Sequence, residues 1–484
     1  AVKLGQKLCT KDGFTEYPRQ ELPDEVKWGP EKWAIDYRDK NRVNCYETGT
    51  APCKTACPAH IAVQGYLKLA AQGKYREALQ LIKRENPFPA VCGRICNRRC
   101  EDACTRGTID QAVAIDEVKR FIAQQDLDAA TRFVPEKVIP KVDGEFSEKI
   151  AIIGGGPAGL SCAYYLAEKG YRPTVFEKEA RTGGMLMNGI PSFRLEKDVV
   201  EAEIDVLREL GVEFRTGVEV GRDVTIAQLR EEGYKGFYLA VGLQSGGRLG
   251  VPGDDARGVE AGIDFMRAGN LRGEKTLSGR VVVIGGGNIA ADVARTAVRC
   301  GAESVTMYCL EGYDEMPMGE EDRSECERDG VVIRAGWGQT EIASADGVCT
   351  GIRLRKCLRV KNDEGRFAPV FDDEQTEETA CTTVLYCIGQ KADWRTLLTG
   401  TAVELRPNGT AVTDPVTGQT AEPDIFAGGD AVTGQKFAID AIAVGKEGAI
   451  SLHRYVQGAH LTIGRNRRQF IELDKKNALI PIDS

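Results

Sequence analysis

The residues of this sequence that are most clearly suited to chemistry are three glycines spaced as G-x-G-x-x-G. Gly154, Gly156 and Gly159 lie in "KIAIIGGGPAGLSCAYYLAEKGYRPTVFEKE" (149–179), between an apolar run and an amphipathic stretch. Glycines at this spacing permit a tight turn between a strand and a helix, and they let the helix N-terminus approach a pyrophosphate. Glu177 ends the next apolar run, where a carboxylate accepts hydrogen bonds from a ribose. Strand, turn, helix and acid together predict a dinucleotide-binding unit.

A second segment repeats this arrangement. In "GRVVVIGGGNIAADVARTAVRCGAESVTMYCLE" (279–311), Gly285, Gly287 and Ala290 form G-x-G-x-x-A, and the second β-type run ends near Glu311. Alanine at the third position is compatible with dinucleotide binding. Two such units in one chain indicate two dinucleotides, and therefore an electron carrier.

Cysteines are concentrated near the N-terminus. Eight of the 16 lie in residues 1–104, and seven of these follow the spacing C-x7-C-x3-C and then C-x3-C-x3-C-x3-C. The seven are Cys45, Cys53, Cys57, Cys92, Cys96, Cys100 and Cys104. Crowded thiolates favour soft metals, which means iron–sulfur clusters or zinc. Structural zinc usually has compact C-x2–4-C pairs, and steps of four residues also fit a buried helix face. Beside two dinucleotide units, cubane iron–sulfur clusters are the favoured interpretation.

The remaining eight cysteines are scattered singly, and we interpret them as small apolar side chains. No C-x-x-C is present, which excludes the redox-active dithiol of thioredoxin-reductase-like flavoenzymes. A chain of 484 residues can bury a core without disulfides. We therefore expect reduced thiols and a cytoplasmic location.

Charge and hydropathy exclude several other classes. The formal net charge of −8 is spread along the chain, whereas a nucleic-acid-binding protein would favour a basic stripe. No stretch of 18 apolar residues occurs, and the N-terminus lacks the basic-then-apolar pattern of a secretory signal. We expect neither nucleic-acid binding nor membrane insertion.

The elements that position these residues follow from periodicity. Apolar residues at spacings of three and four predict helices within 62–86 and 114–127. The segment 133–149 contains two prolines and many charges, as a domain linker does. Further strand-plus-glycine segments end at Gly242 and Gly429.

The predicted fold class is α/β, with two Rossmann-like dinucleotide-binding domains, one inserted in the other, preceded by an α-helical cysteine-rich domain. The predicted domains are the helical domain (1–147), the first dinucleotide domain (148–270 and 386–465), the inserted second domain (271–385) and a C-terminal tail (466–484).

These features resemble one branch of the flavoproteins with two dinucleotide domains. The branch includes the small subunit of glutamate synthase, the N-terminal part of dihydropyrimidine dehydrogenase and the large subunit of ferredoxin–NADP transhydrogenase. The signatures that carry the resemblance span about residues 40–460. They are "APCKTACPAHI", "NPFPAVCGRICNRRCEDACT", "IIGGGPAGLSCAYYLAEKGYRPTVFEKEARTGGMLMNGIPSFRL", "VVVIGGGNIAADVAR" and "DIFAGGDAVTG".

The resemblance implies FAD in the first domain and NAD(H) or NADP(H) in the second. The residues that it places at FAD are Gly154, Gly156, Pro157, Ala158, Gly159, Glu177, Lys178, Gly183, Gly184, Met185, Arg194, Gly242, Gly429 and Asp430. Those that it places at the nicotinamide dinucleotide are Gly285, Gly287, Asn288, Ile289, Ala290 and Glu311. Hydride transfer between the two cofactors needs no protein acid or base, so we name no catalytic residue.

The choice between NADH and NADPH depends on the end of the second unit. In the glutamate synthase small subunit two arginines usually follow this strand and suit a 2′-phosphate, whereas here Cys309 and Leu310 precede Glu311. A carboxylate repels a 2′-phosphate and accepts a hydrogen bond from a free ribose hydroxyl. Arg295 and Arg299, on the preceding helix, either serve a phosphate or face solvent. The sequence favours NADH.

The resemblance also implies two [4Fe–4S] clusters held by interleaved cysteines. One would be held by Cys45, Cys53 and Cys104, and the other by Cys57, Cys96 and Cys100. This chain departs from the family twice, with Thr48 in place of a cysteine and Lys119 in place of a glutamate or glutamine ligand. Cys92, Asp116, Glu117 or a group from a partner chain could complete one cluster. Alternatively, only one cluster forms.

The sequence therefore predicts an electron-input oxidoreductase subunit. It would move hydride between NAD(P)H and FAD and pass electrons through the clusters to a partner subunit, within a hetero-oligomer. Two alternatives stay open: the glutamate synthase small subunit proper, and a flavin-containing scaffold that has lost electron transfer.

Overall fold

The computed structural model describes most of the chain between residues 51 and 465. The described ranges are 51–108, 110–137, 145–273 and 276–465. Cys45, Thr48 and the tail 466–484 lie outside them, so the roles given to these residues stay predictions. Within the described ranges, no helix combines the length and the hydrophobicity needed to cross a membrane.

The N-terminal described segment is a module of short helices, as predicted. Its helices are α1 Pro52–Ala56, α2 Val63–Ala71, α3 Tyr75–Lys83, α4 Pro89–Ile95, α5 Arg99–Asp102 and α6 Ile115–Ala123, with 3-10 turns at Thr105–Thr108 and Gln124–Asp126. The amphipathic pattern of 62–86 is divided between α2 and α3. The division falls at Gly73, whose φ of +73° takes the chain out of the helical conformation.

A first parallel sheet follows the module. Its strands are β1 Lys149–Ile153, β2 Thr174–Glu177, β3 Glu213–Thr216, β4 Tyr234–Leu239 and β15 Ile425–Ala427, with helices α7 Pro157–Glu168, α8 Met185–Asn188, α9 Lys197–Glu209, α10 Ile226–Glu231, α14 Asp430–Thr433 and α15 Ala438–Val456. The strand order is β15-β4-β1-β2-β3. Because β15 comes from the far end of the sequence, the first sheet is completed only after the second unit, which confirms the insertion.

The inserted unit contains a second parallel sheet. Its strands are β6 Val259–Ala261, β7 Arg280–Ile284, β8 Ser304–Cys309, β9 Val332–Ala335 and β13 Thr383–Tyr386, with helices α11 Gly262–Arg272, α12 Asn288–Arg299 and α13 Glu320–Arg328 and a 3-10 turn at Tyr313–Glu315. The strand order is β6-β13-β7-β8-β9. Strand β6 lies within 148–270, the range that the sequence analysis gave to the first domain, and it pairs with β13 of the second sheet.

Two further sheets are antiparallel. The larger has the order β10-β11-β12 and consists of β10 Trp337–Ala345, β11 Val348–Lys361 and β12 Phe367–Ala380. The smaller pairs β5 Ser245–Gly246 with β14 Gln390–Lys391. These two short strands lie on the two passages of the chain between the parallel sheets, so the smaller sheet joins the outgoing passage to the returning one.

A buried carboxylate ties the helical module to the first α/β unit. Glu203 of α9 is 0% exposed. Its two carboxylate oxygens accept hydrogen bonds from the backbone N–H groups of Ala90, at 2.7 Å, and Val91, at 2.9 Å. These groups belong to the first turn of α4, where a helix leaves its N–H donors without internal partners. Since α4 also carries Cys92, this interaction fixes the position of the cysteine segment.

Replacing Glu203 by alanine would leave two buried N–H groups without acceptors. Each unsatisfied group costs about 1–3 kcal/mol, so we expect E203A to lower the free energy of unfolding by about 2–6 kcal/mol. Urea denaturation followed by circular dichroism measures this change. Glu209, exposed at the end of the same helix and 2.7 Å from Arg132, is the matched control, and E209A should lower the free energy by less than about 1 kcal/mol. Equal effects of the two variants would contradict the assignment.

Candidate functional site

A cleft of about 510 Å³ extends from one glycine-rich turn to the other. The residues predicted at FAD that line it are Gly154, Gly156, Pro157, Ala158, Glu177, Gly184, Met185, Arg194, Gly242, Gly429 and Asp430. Those predicted at the nicotinamide dinucleotide are Gly287, Asn288 and Ile289. The predicted residues that do not line it are Gly159, Lys178, Gly183, Gly285, Ala290 and Glu311. The structure therefore brings 11 of the 14 residues predicted at FAD and three of the six predicted at the nicotinamide dinucleotide to one continuous space.

The first glycine turn has no room for side chains at two of its three glycines. A Cβ on Gly154 would lie 2.4 Å from the carbonyl oxygen of Ala240, and one on Gly159 would lie 2.1 Å from the carbonyl oxygen of Gly154. A Cβ on Gly156 would meet a single backbone atom, at 3.9 Å. Helix α7 begins at Pro157, and no described side chain caps its first N–H groups. An open space faced by free N–H donors fits a pyrophosphate.

Glu177 lies beside this turn, at the end of β2. It is 4% exposed, and it accepts hydrogen bonds from the N–H groups of Gly155, at 2.8 Å, and Glu179, at 2.9 Å. Burial raises the pKa of Glu177, and the hydrogen bonds from Glu179 and Gly155 oppose that rise. Because Glu177 also contributes to the lining of the cleft, its carboxylate is placed to accept a hydrogen bond from a ribose hydroxyl.

The second glycine turn has the same geometry. A Cβ on Gly285 would lie 2.4 Å from the carbonyl oxygen of Cys387, whereas no described atom lies within 4 Å of a Cβ on Gly287. Ala290 is 0% exposed, so its methyl group packs inside the unit. Helix α12 begins at Asn288 without a side-chain cap among the described residues. This turn therefore fits a second pyrophosphate.

Glu311 lies beside the second turn as Glu177 lies beside the first. The Oε2 atom of Glu311 is 3.2 Å from the Cβ position of Gly286, and the Oε2 atom of Glu177 is 3.1 Å from the Cβ position of Gly155. The acid that follows the second strand thus lies at a similar distance from Gly155 in the first unit and from Gly286 in the second.

Arg295 and Arg299 are engaged by other groups. The Nε atom of Arg295 lies 2.7 Å from Asp329, and a second nitrogen of its guanidinium pairs with Glu325. The Nη1 atom of Arg299 also lies 2.7 Å from Asp329. Both guanidinium groups lie over the ring of Phe193, at 4.8 and 4.1 Å from its centroid. Both arginines are therefore already paired with carboxylates, which offset their positive charge.

Arg194, which the sequence analysis placed on the flavin side, lines the cleft and also bridges the two units. Its Nε atom lies 2.8 Å from Asp292 of α12, and its Nη2 atom lies 2.5 Å from Asp322 of α13. Burial raises the pKa of Asp292 to about 6, and the charge of Arg194 opposes the rise. Asp292 is not among the residues predicted from the sequence, although it lies one helical turn after Asn288 and so on the same face of α12.

The cysteines of residues 92–104 do not form one helical stripe. Helix α4 ends at Ile95, and Cys96 has an extended conformation, with φ −70° and ψ 142°. Arg98 is left-handed, with φ 55°, and α5 begins only at Arg99. The alternative of a single buried helix face is therefore wrong, because the chain changes direction between Cys96 and Cys100.

Electrostatic interactions divide the described cysteines into two groups. Burial raises the pKa of Cys53, and the charge of Cys104 adds to the rise. Burial likewise raises the pKa of Cys57, and it raises the pKa of Cys100 to about 12, with Cys96 adding to both rises. Cys96 also adds to the rise in the pKa of Cys92, so the second group contains Cys92 besides the predicted ligands Cys57, Cys96 and Cys100, and Cys45 of the first predicted set lies outside the described residues. The ligand sets themselves stay predictions.

The candidates for a further ligand differ in their surroundings. Cys92 is 1% exposed within α4. Asp116 is also buried, and it is ion-paired with Lys119. Glu117 is exposed, and its carboxylate lies 3.7 Å from the guanidinium of Arg98. Among the residues that the structure describes, no three histidine, cysteine or carboxylate side chains converge on the position of a single metal ion.

The cysteine segment reaches the cleft through Ile95. This residue lines the cleft, and it directly precedes Cys96 in the chain. Nothing in the sequence pattern distinguishes Ile95 from other apolar helix residues. Because Cys96 is bonded to Ile95, the cysteine segment adjoins the space that the two glycine turns share.

Replacement of Gly156 or Gly287 by alanine should weaken cofactor binding without affecting folding. Gly156 and Gly287 have φ values of −83° and −97°, which alanine adopts readily, and a methyl group there meets no close protein atom. We expect G156A to lose FAD, and G287A to raise the Kd for the nicotinamide dinucleotide about tenfold, equivalent to about 1.4 kcal/mol. Flavin absorbance and titration calorimetry measure the two effects.

Without FAD, the G156A and G287A proteins should melt at the same temperature as the wild-type protein without FAD. Gly269 of α11 is the matched control, because a Cβ there also meets nothing within 4 Å and the residue does not line the cleft. G269A should therefore change neither binding event. Wild-type flavin content in G156A would contradict the position given to the pyrophosphate.

Comparison with known proteins identifies both parts of the chain. Residues 148–445 match the family described as pyridine nucleotide-disulphide oxidoreductase. Residues 35–131 match the family described as dihydropyrimidine dehydrogenase domain II, 4Fe-4S cluster.

Similar curated proteins are named as subunits or chains of oxidoreductases. The chain is 37% identical over 431 residues to the NADP(+)-dependent formate dehydrogenase subunit beta of Moorella thermoacetica, covering 84% of this chain and 60% of that protein. It is 35% identical over 429 residues to the glutamate synthase [NADPH] small chain of Halomonas elongata, covering 85% and 89%. It is 32% identical over 423 residues to the NAD-dependent dihydropyrimidine dehydrogenase subunit PreT of Escherichia coli, covering 87% and 94%.

Solved structures support the fold. Mycobacterium tuberculosis FprA in complex with NADPH has a TM-score of 0.54 at 19% identity, and the match covers 64% of this chain and 85% of that one. Lactococcus lactis thioredoxin reductase has a TM-score of 0.50 at 21% identity, with 64% and 100% covered.

Together, the family matches and the two parallel sheets confirm three predictions: an oxidoreductase, binding sites for FAD and a nicotinamide dinucleotide, and an N-terminal iron–sulfur domain. The chain belongs to the pyridine nucleotide-disulphide oxidoreductase family and carries a 4Fe–4S domain before it.

Proposed function

We propose that the chain is the electron-input subunit of a hetero-oligomeric oxidoreductase, with NADH as its donor and a partner subunit as its acceptor. The observation that carries this proposal is the shared cleft. Residues of both glycine turns and Ile95, next to Cys96, line the same space. A donor site, a flavin site and a cysteine group are therefore contiguous within one molecule.

The residues of the first unit fit FAD. The N–H groups at the start of α7 and the space beside Gly156 would hold the pyrophosphate, and Glu177 would accept the ribose hydroxyls. Asp430 begins α14 in the lining of the cleft and would hold the ribityl region. Burial raises the pKa of Asp430 to about 6, and the backbone N–H of Lys436 donates a hydrogen bond to it at 3.2 Å.

Hydride transfer between cofactors bound at the two turns requires mainly that the protein positions those cofactors. When bound, FAD accepts hydride from a reduced nicotinamide, and iron–sulfur clusters carry single electrons. Leu243, Ile263 and Ile289 line the cleft between the turns, and their apolar side chains exclude water from it. The protein thus holds the reacting groups in position and keeps solvent away, which is the main contribution of cofactor enzymes.

NADH is supported by the charges at the second turn. The carboxylate of Glu311 lies beside Gly286, where it can accept a hydrogen bond from a free 2′-hydroxyl and would repel a 2′-phosphate. Arg295 and Arg299 are already paired with carboxylates. Relatives are named as both NADPH-dependent and NAD-dependent enzymes, so the support comes from the residues of this chain.

The acceptor would be a partner subunit. The relatives are named as subunits or chains, and the chain spans 60% of the length of the Moorella protein. A glutamate synthase small chain proper is the second candidate, favoured by the 89% of the Halomonas protein that the chain covers. No disulfide links the cysteines that the structure describes, which supports a cytoplasmic location. Affinity purification from native extract and peptide identification of the co-purifying subunit would separate the candidates.

Anaerobic titration with NADH tests the function directly. We expect the flavin absorbance to bleach and a reduced-cluster signal to appear by electron paramagnetic resonance, with about eight iron atoms per chain if both clusters form. A scaffold that has lost electron transfer would bind flavin without bleaching. Protein that is colourless and does not take up FAD would contradict the proposal.

Glu311 should determine the preference between the two donors. We expect the wild-type kcat/KM to be higher with NADH than with NADPH. Removing the carboxylate charge in E311Q should reduce that ratio about tenfold, equivalent to about 1.4 kcal/mol. Steady-state kinetics with an artificial electron acceptor measure the ratio. Glu303, exposed just before the opposite end of β8, is the control, and E303Q should leave the ratio unchanged. A wild-type preference for NADPH would overturn the assignment.

A further inference from the structure

Lys119 is a cation buried beside the cysteines. It is 4% exposed and lies on α6, which packs closely against α4. A Cβ on Gly93 of α4 would lie 2.8 Å from the Cα of Arg120, so the two helices come together at this point. This packing brings Lys119 next to the segment that carries Cys92 and Cys96.

The polar partners of Lys119 are few. Among the described residues, its one hydrogen-bond acceptor is the carboxylate of Asp116, although an ammonium group has three N–H donors. Asp116 is itself 1% exposed, and the guanidinium of Arg98 lies 4.0 Å from its other oxygen. The hydroxyl of Tyr66 donates a hydrogen bond to the carbonyl oxygen of Ile115, at 3.4 Å. Lys119 and Arg98 therefore both face Asp116, and Arg98 is shared with the exposed carboxylate of Glu117.

The field of Lys119 reaches the cysteine group. Burial by itself lowers the pKa of Lys119, but the surrounding negative charges, that of Cys96 first, outweigh burial and raise the pKa above its ordinary value. Lys119 in turn acts on the pKa of Cys57, Cys92 and Cys100, in each case lowering it against the effect of burial. Together with the close packing of α6 on α4 at Gly93 and Arg120, this places the buried ammonium group of Lys119 beside the cysteine segment.

We propose that Lys119 raises the reduction potential of the iron–sulfur cluster held by Cys57, Cys96 and Cys100, and that it does so without binding iron. The proposal rests on the proposed function, because it requires this cluster. Reduction adds one electron, and therefore one negative charge, to the cluster. A cation held nearby in a poorly solvated interior stabilises the reduced state more than the oxidised one. An ammonium group has no lone pair for iron, so Lys119 acts through its charge. Lys119 is a positioning residue: it places a positive charge beside the cluster, and this makes the cluster a better acceptor of electrons.

Replacement of Lys119 by methionine is the central test. Methionine has a similar length and shape but no charge. In the full chain reconstituted anaerobically with iron and sulfide, we expect K119M to keep the wild-type iron and acid-labile sulfide content. Potentiometric titration followed by electron paramagnetic resonance should show a lower midpoint potential for this cluster. The expected change in the ratio of reduced to oxidised cluster is about tenfold, equivalent to about 59 mV for a one-electron couple.

Two further variants fix the sign of the effect. K119R keeps the positive charge and should keep the potential within half of the K119M shift. D116N removes the opposing carboxylate and should move the potential upward, in the direction opposite to K119M. If K119M does not fold, these two variants still test the proposal, because a potential that does not rise in D116N overturns it.

Lys83 is the matched control for burial. It is 1% exposed in the same helical module and lies 2.5 Å from the buried Asp126. K83M also leaves a buried carboxylate unpaired, but it lies outside the cysteine group, so the potential of the cluster should not change. A shift in K83M as large as that in K119M would overturn the proposal, because a general loosening of the module would then explain both.

The remaining outcomes are decisive in the same way. An unchanged potential in K119M with full iron content overturns the role of the charge. Loss of cluster iron in K119M and in K119R alike overturns it as well, because Lys119 would then be needed to retain the cluster. Wild-type protein that takes up no iron contradicts the proposed function itself and is distinguishable from both results.

Discussion

The site depends on one packing constraint that the structure uses twice. In each parallel sheet the turn after the central strand lies against the carbonyl at the end of a neighbouring strand, and the gap is too narrow for a Cβ. The contact is between Gly154 and Ala240 in the first unit and between Gly285 and Cys387 in the second, with 2.4 Å from the Cβ position to the carbonyl oxygen in both. The register of the strands therefore also determines the position of the glycine turn. If either sheet slipped by a residue, the helix N-terminus that faces the cleft would be displaced.

The helical module is held to this frame by the elements that form the cleft. Glu203 of α9 binds the start of α4. Helix α15 lines the cleft at its first turn, and the same helix carries two ion pairs to the module: Asp440 with Arg99 at 3.0 Å, and Lys446 with Glu85 at 2.6 Å. Electron transfer between fixed centres requires a fixed separation. These contacts supply it through side chains of α9 and α15, two helices whose buried residues belong to the same hydrophobic cluster.

The sequence was sufficient for the fold class and for the residues at the two turns, because glycine spacing and strand–helix alternation are local signals with direct geometric causes. It was not sufficient for contacts that depend on tertiary placement. Strand β6 joins the second sheet although it precedes the second glycine motif in the sequence. Its three residues have no sequence feature that indicates to which of the two sheets the strand belongs. The pairing of Arg194 with Asp292 and the place of Ile95 in the cleft likewise arise only when distant elements meet. The equal spacing of the later cysteines also fitted one helical stripe. The left-handed conformation of Arg98 interrupts that stripe, and the sequence does not reveal it because a single αL residue leaves little trace in composition.

The two buried lysines of the module show why its polar groups are not interchangeable. Burying an ion pair removes both charges from water, and this penalty is offset only when hydrogen bonds satisfy the groups that are buried. Lys83 meets this condition, because it pairs with Asp126 and donates to the carbonyl oxygen of Phe133 at 2.9 Å, while Asp126 accepts from the N–H of Phe133 at 3.0 Å. The Lys83–Asp126 pair thus fixes the position of the segment around Phe133, where the chain leaves the module. Lys119 has one carboxylate as its acceptor among the described residues, and the other negative charges around it are those of thiolates. Burial raises the pKa of Cys57 and Cys100, and binding of a metal would hold these cysteines as thiolates at neutral pH. The lysine and the proposed cluster therefore have complementary charges: the cluster would supply negative charge beside a buried ammonium, and the ammonium would offset part of the charge that reduction adds to the cluster.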